Sequence, residues 1–333
     1  MKEAALRILA SDEVWPSIQA DVKSAMGSHP WTWVSVDKIL AAEEGADVAF
    51  VSRDVTGAST KHKITPSTQR FYDALTAAHD LRWLHVHSAG ADRFIYLDLM
   101  ARGVKVTTSS GANANAVAQT ALTGLLALAR GLPSLLKAQA AHRWEPLIKT
   151  GLPPDLDGQT AVIVGWGPIA QTIGRVLDVL GVNLIVVRRS DAPVSMAKRL
   201  VTFDRFYEVL PDADWLVLAC PLTEETTNLV SRQALGRLKK GASIVNISRG
   251  AVIDEEAMIE GLRSGDIGSA YLDVFAQEPL PESSPLWDMP NVIATPHTAG
   301  FSFGMYRRME QMFIDNLARY ARGESLFHIA NPS

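Results

Sequence analysis

The chain holds a single cysteine, Cys220, among 333 residues. No intrachain disulfide is possible, and no cysteine-based metal cluster. Cys220 reads as a small apolar residue at a strand end. Charge of one sign is also scarce. Lys and Arg number 32 against 36 Asp and Glu, a net charge of −4. That balance excludes a basic field for nucleic acid or an anionic membrane. Arg188-Arg189 and Lys239-Lys240 are isolated pairs, too short to be polybasic tracts. The longest apolar stretch, Ala121 to Ala129, falls well short of the roughly 20 residues that span a bilayer. Lys2, Glu3 and Arg7 stand among the first residues with no apolar signal region, so a cytoplasmic protein is expected. No low-complexity stretch and no internal repeat is found.

What is present is an ordinary globular composition, 47% hydrophobic and 20% charged, at a length that suits two domains. The chain is organised around Val162-Ile163-Val164-Gly165-Trp166-Gly167-Pro168-Ile169-Ala170. An apolar run stops at Gly165, a second glycine follows, and a helical pattern begins at once. The first glycine lets the turn close, and the second lets a pyrophosphate approach the backbone. The helix start, from Pro168 and Ile169, turns its unpaired N–H groups toward that anion. Gly181 ends the helix, and Leu184 to Val187 reads as the next parallel strand. At its end stand Arg188, Arg189 and Ser190, where an NAD-selective site places an acidic side chain. Two guanidinium groups and a hydroxyl suit a 2′-phosphate, so NADP is the expected cofactor, with NAD as the alternative.

Strands alternate with helices along the chain, which implies α/β architecture with doubly wound parallel sheets. The first series of strands is expected at Leu6–Ala10, Trp31–Val36, Val48–Val51, Leu81–Val86 and Val104–Thr107. Asp12 and Asp37 are expected to cap helices, and Thr65-Pro66 to start another. One long helix is expected over Asn113–Arg130. The second series is Ala161–Val164, Leu184–Val187, Trp215–Ala219, Ser243–Ile247, Ser269–Val274 and Val292–Ala294. The final helix, about Ser302 to Arg322, comes too late for the second sheet, so the chain is expected to cross back to the first domain.

Ligands in such sheets bind at the carboxyl ends of the strands. Three ends of the second series carry Ser248-Arg249-Gly250, Phe275-Ala276-Gln277-Glu278-Pro279 and Thr295-Pro296-His297-Thr298-Ala299-Gly300. A lone Arg is usually a solvated charge, and a lone Glu or His beside Pro usually a loop residue. One of each on the cofactor's side of one sheet points to chemistry.

The ordered set of motifs resembles the D-isomer-specific 2-hydroxyacid dehydrogenases. It comprises the glycine turn, Cys220-Pro221-Leu222-Thr223-Glu224-Glu225-Thr226, Asn246 to Gly250, Leu272 to Pro279 with Asp273, Pro285-Leu286-Trp287, and Thr295 to Gly300. Ser88-Ala89-Gly90-Ala91-Asp92 and Asn113 to Arg130 match as well. The resemblance runs from about Leu81 onward. It implies two Rossmann-like domains, with the cofactor domain, 113–299, inserted into a flavodoxin-like substrate domain, 1–112 plus 300–333. It implies hydride transfer between NAD(P)H and a small 2-keto acid, with glyoxylate or hydroxypyruvate as leading substrates. His297 is then the proton donor, Glu278 its carboxylate partner, and Arg249 the grip on the substrate's carboxylate and carbonyl. Ser88, Ala89 and Gly90 are implied to bind the substrate carboxylate through backbone N–H groups. The implied cofactor contacts are Gly165, Gly167, Pro168, Ile169, Arg188, Arg189, Ser190, Cys220, Pro221, Thr226, Ile247, Ser248, Arg249, Asp273, His297 and Ala299.

The chain departs from the family at Gln119, where an acidic residue is usual, and at Arg188, where NAD-dependent members are acidic. His85 and His87 lie two apart on a strand and so share a face, but no third metal ligand is near, and no metal is expected. Arg53 follows a strand end and is a candidate for the substrate side. Trp144 lies after the linker helices, in a region expected to meet the mate of a homodimer. A rival from another class is a dinucleotide-sensing regulator on the same fold. The absence of Pro/Ser-rich tails argues against it. A formate or phosphite dehydrogenase would change only the substrate.

Overall fold

A computed structural model of the chain describes residues 4–57, 59 and 63–330, so Lys2 and Glu3 lie outside it. The chain forms two compact units, Met1–Asn113 with Ser302–Ser333, and Ala114–Phe301 between them in sequence.

The first unit is built on β1 (Leu6–Leu9), β2 (Trp31–Val34), β3 (Val48–Val51), β4 (Trp83–Val86) and β5 (Lys105–Thr108). Their order is β2-β1-β3-β4-β5 and every pairing is parallel. This is the flavodoxin-like order. Such a sheet is covered on both faces, which is why β3 and β4 are buried at every position. Leu9, Val51 and Leu84 pack on one side with Phe71 and Leu75 of the helix Pro66–Ala77. Ile8, Phe50 and Trp83 pack on the other with Ile18 and Phe313. The final helix, Met305–Ala321, therefore belongs to this unit, and Phe313 stacks on Phe50 with ring centroids 4.6 Å apart. Beyond it, the His328 carbonyl accepts from the Thr108 N–H and the Ala330 N–H donates to Val106, covering the free edge of β5.

Local details differ from the sequence expectation. Asp12 does not cap the first helix, which spans Trp15–Met26. The Ser11 hydroxyl instead accepts from the Val14 N–H, at 3.1 Å, and Pro16 fixes the first turn. Asp37 lies inside the helix Val36–Leu40, whose N-cap is Ser35. Thr65 does cap its helix, accepting from the Thr68 N–H.

The second unit carries β6 (Thr160–Val164), β7 (Asn183–Val187), β8 (Arg199–Val201), β9 (Trp215–Leu218), β10 (Ala242–Asn246), β11 (Ile267–Leu272) and β12 (Val292–Ala294). They run in the order β12-β11-β10-β9-β6-β7-β8, all parallel. Counted from β6, this is the doubly wound dinucleotide order with β12 added at one edge. The sequence reading missed β8. It has three residues, too few to show a period. The helices Ala114–Ala129 and Pro168–Val179 cover one face of the sheet. Glu255–Ser264 packs on the other, capped by the Asp254 carboxylate on the Ala257 N–H. Strand order reverses between β6 and β9, the place where such sheets open a ligand crevice at their carboxyl ends. Among the described residues, no helix is long and apolar enough to cross a membrane.

Candidate active site

The turn after β6 uses its glycines for different reasons. Gly165 has φ +93°, and a Cβ there would stand 2.8 Å from the Ala219 carbonyl oxygen. It is required by the fold, because the turn presses on the end of β9. Gly167 meets nothing within 4 Å along its Cβ direction. Its missing side chain leaves open space where the helix Pro168–Val179 begins. The N–H groups of Gly167, Ile169 and Ala170 donate to no acceptor among the described residues. An open cradle of N–H groups at a helix start fits a dinucleotide pyrophosphate.

After β7, the two arginines are not equivalent. The Arg188 guanidinium donates to the carbonyls of Ser190, at 2.9 Å, and Ala192, at 2.7 Å, and so braces its own loop. Arg189 is exposed and pairs with Glu225 at 3.2 Å. The Ser190 hydroxyl accepts from the Ala192 N–H. After β9, the Thr226 hydroxyl donates to the Pro221 carbonyl, at 2.7 Å, and accepts from the Thr223 N–H, at 2.8 Å. Thr226 thus shapes the turn that begins at Cys220 and Pro221. The Cys220 thiol is buried, and burial pushes its pKa up to about 11. It stays protonated at neutral pH and is no nucleophile.

The Arg, Glu and His occupy the three neighbouring strand ends. After β10, the buried Asn246 carbonyl oxygen Oδ1 accepts from both the N–H and the hydroxyl of Ser248. Its Nδ2 donates to the Arg249 carbonyl at 3.3 Å. Ile247 and Ser248 are buried by this turn, while the Arg249 side chain emerges, with Nη1 on the Ser248 carbonyl at 2.7 Å. After β11, Glu278 turns back so that Oε1 accepts from the Phe275 N–H, at 3.0 Å. Its other oxygen lies 2.7 Å from His297 Nδ1. A carboxylate here accepts, so Nδ1 carries a hydrogen and Nε2 is left for chemistry.

His297 itself sits in the left-handed region, at φ +49°. Asp273, buried at the end of β11, holds that conformation. Its backbone carbonyl accepts from the His297 N–H, and its carboxylate accepts from the N–H groups of Thr298 and Ala299. The sequence reading treated Asp273 and Ala299 as cofactor contacts. In the fold they also form the clamp on the histidine loop. Asn246 was not singled out from the sequence. Its signal was a buried amide at the last position of an apolar strand, a place that demands hydrogen-bond partners.

In the first unit, the turn Ser88–Gly90 follows β4, and the Ser88 hydroxyl closes it on the Gly90 carbonyl at 2.6 Å. The N–H groups of Ala89 and Gly90 have no acceptor among the described residues, and adjacent free N–H groups of this kind can receive an anion. His85 is fully buried, with Nδ1 on Thr107 and Nε2 on Ser109. His87 bonds Thr56 through Nε2, at 2.8 Å. Burial pushes the pKa of His85 down to about 3 and that of His87 down to about 4. Among the described residues, no cluster of His, Cys, Asp or Glu could hold a metal ion. Arg53, Ser52 and His87 line a cavity of about 440 Å³ within this unit. In the second unit, Trp144 is 94% exposed, and Leu136, Ile148 and Leu152 are exposed nearby in sequence.

A glycine turn on a doubly wound sheet, sharing its edge with a histidine–carboxylate pair and an arginine, defines an NAD(P)-dependent oxidoreductase. Residues 122–299 match the family model described as D-isomer specific 2-hydroxyacid dehydrogenase, NAD binding domain, and the chain belongs to that family. It is 34% identical over 254 residues to a glyoxylate reductase of Thermococcus gammatolerans, covering 73% of this chain and 74% of that protein. It is 32% identical over 254 residues to the glyoxylate reductase/hydroxypyruvate reductase of Mus musculus, covering 75% and 77%. A crystal structure of a D-isomer specific 2-hydroxyacid dehydrogenase from Xanthobacter autotrophicus Py2, in complex with NADPH and MES, superposes with a TM-score of 0.73 at 25% identity. The alignment covers 99% of this chain and 98% of that one.

Proposed function

We propose that the protein reduces a small 2-keto acid to the D-2-hydroxy acid with NADPH, with glyoxylate and hydroxypyruvate as leading substrates. The observation that carries this reading is the 2.7 Å contact between His297 Nδ1 and Glu278 on the sheet edge that also bears the glycine turn. Relatives named as glyoxylate reductases support the substrate choice and favour an enzyme over a dinucleotide-sensing regulator. The NADPH-bound neighbour supports the cofactor.

The Gly165–Ala170 turn would hold the pyrophosphate, with Arg188 and Arg189 toward the adenosine ribose. When bound, the reduced nicotinamide supplies the hydride. Arg249, braced on Ser248, presents a planar pair of N–H groups to carboxylate and carbonyl oxygens. The imidazolium of His297 gives its Nε2 proton to the carbonyl oxygen as negative charge develops there. Its Nδ1–H remains on Glu278, which fixes the ring throughout. In the first unit, the N–H groups of Ala89 and Gly90 are the proposed carboxylate site. The first unit is accordingly read as the substrate domain, and a cytoplasmic homodimer as the working form.

A screen of 2-keto acids of increasing length, each with NADPH and NADH, tests the reading. Oxidation of NADPH dependent on glyoxylate or hydroxypyruvate is the expected result. No turnover with any 2-keto acid would remove it.

A further inference from the structure

The clamp on the histidine loop continues one residue deeper than catalysis requires. The Thr295 hydroxyl donates to Asp273 Oδ1 at 2.6 Å. A hydroxyl has one hydrogen, so its remaining contact, the Tyr271 hydroxyl at 2.9 Å, must donate to it. Burial raises the Tyr271 pKa, which keeps that hydroxyl protonated and fit to donate. The order of hydrogens is therefore fixed: Tyr271 to Thr295 to the Asp273 carboxylate, whose other donors are the N–H groups of Thr298 and Ala299.

Tyr271 is itself held. It is 2% exposed on β11, and its ring packs against the helix Ala114–Ala129 at Gly124. A Cβ on Gly124 would stand 2.2 Å from Cγ and Cδ2 of the ring. A ring seated on helix backbone can reach Thr295 only because residue 124 has no side chain. The loop it steadies keeps a non-glycine residue, His297, at φ +49°. Such a conformation persists only when surrounding contacts determine it.

We propose that Tyr271, seated on Gly124 and bonded through Thr295 to Asp273, is a positioning residue for the proton donor His297. The inference rests on the reductase reading above. Tyr271 touches no reacting atom. It acts through Thr295 and Asp273 on the backbone from which the imidazole projects. A small displacement of a catalytic group is felt in turnover far more than in ground-state binding.

The test is steady-state reduction of glyoxylate or hydroxypyruvate by the full chain and four variants, with melting temperatures recorded alongside. Tyr271→Phe keeps the ring and removes the hydroxyl. It is expected to lower kcat about three- to tenfold, the worth of one neutral hydrogen bond, and to leave the KM for NADPH unchanged. Thr295→Val is expected to lower kcat further, and Thr295→Ser to restore it. The double variant Tyr271→Phe/Thr295→Val is expected to be no slower than Thr295→Val alone, because both changes cut one path. A folded Tyr271→Phe protein with wild-type kcat, multiplicative losses in the double variant, or a loss confined to the KM for NADPH would each overturn the proposal. A wild-type protein without turnover would instead remove the reading beneath it.

Discussion

Gly250 lies against the carbonyl of Phe275 so closely that a Cβ on Gly250 would stand 1.9 Å from the Phe275 carbonyl carbon. The same Phe275 gives its N–H to Glu278. One residue, Phe275, thus links the turn that carries Arg249 to the turn that carries the partner of His297. No flexible side chain is available to give way, since the nearest atoms are backbone. Gly250→Ala is expected to lower the melting temperature by several degrees and to depress kcat/KM more than a matched Gly→Ala at Gly236, where the nearest atoms are 3.6 Å away. Equal effects at the two positions would show that the junction does not govern the site.

Replacement of His297 by Gln or Ala is expected to reduce kcat for reduction by about two to four orders of magnitude. Binding of NADPH, followed by nicotinamide fluorescence, should survive, because the imidazole takes no part in the N–H cradle at Gly167. Near wild-type reduction by either variant would refute the proton-donor role.

Cofactor choice is expected to favour NADPH over NADH in kcat/KM by about tenfold or more, a difference of about 1.4 kcal/mol. Arg188 is braced by its own loop and Arg189 is drawn toward Glu225. Removing both is expected to raise the KM for NADPH and leave turnover with NADH nearly unchanged. Equal efficiency with the two cofactors in the wild type would mean that these side chains do not read the 2′-phosphate.

Acid stability follows from His85 and His87, whose pKa values fall to about 3 and about 4 in the fold. A histidine in the unfolded chain binds its proton near pH 6.5, so below that pH the unfolded state holds more protons. Stability is therefore expected to fall as pH drops from 6.5 toward 4, by about 1.4 kcal/mol per pH unit for each histidine, and to be insensitive to them above pH 7. His87→Gln, which keeps a polar partner for Thr56, should shallow the slope of melting temperature against pH between 5 and 6.5. An unchanged slope would count against the assignment.

The exposed Leu136, Trp144, Ile148 and Leu152 are expected to be covered in a two-fold homodimer. Sedimentation at micromolar concentration should give twice the 36.2 kDa chain mass, and Trp144→Ala should weaken the association. A single monomeric species in the wild type would remove both the dimer and the part given to Trp144.

Patterns that repeat along the chain were legible in the sequence. Short apolar runs alternating with helical patterns marked eleven of the twelve strands, because a strand buried on both faces needs continuous apolar residues. The glycine turn was legible because an apolar run stops abruptly at Gly165 and a helical pattern follows at once, and Arg249, Glu278 and His297 because each follows a strand on one sheet edge. The sequence could not supply partners that lie far apart along the chain. Asn246 bracing Arg249, Glu225 claiming Arg189, and Tyr271 reaching Thr295 over Gly124 are set by sheet order and register. So is Gly250, whose need for a bare Cα exists only once β10 lies beside β11. Local composition fixes which segments become strands and helices. Which polar groups are left facing one another, and so which backbone holds the histidine, is decided only when the strands are packed side by side.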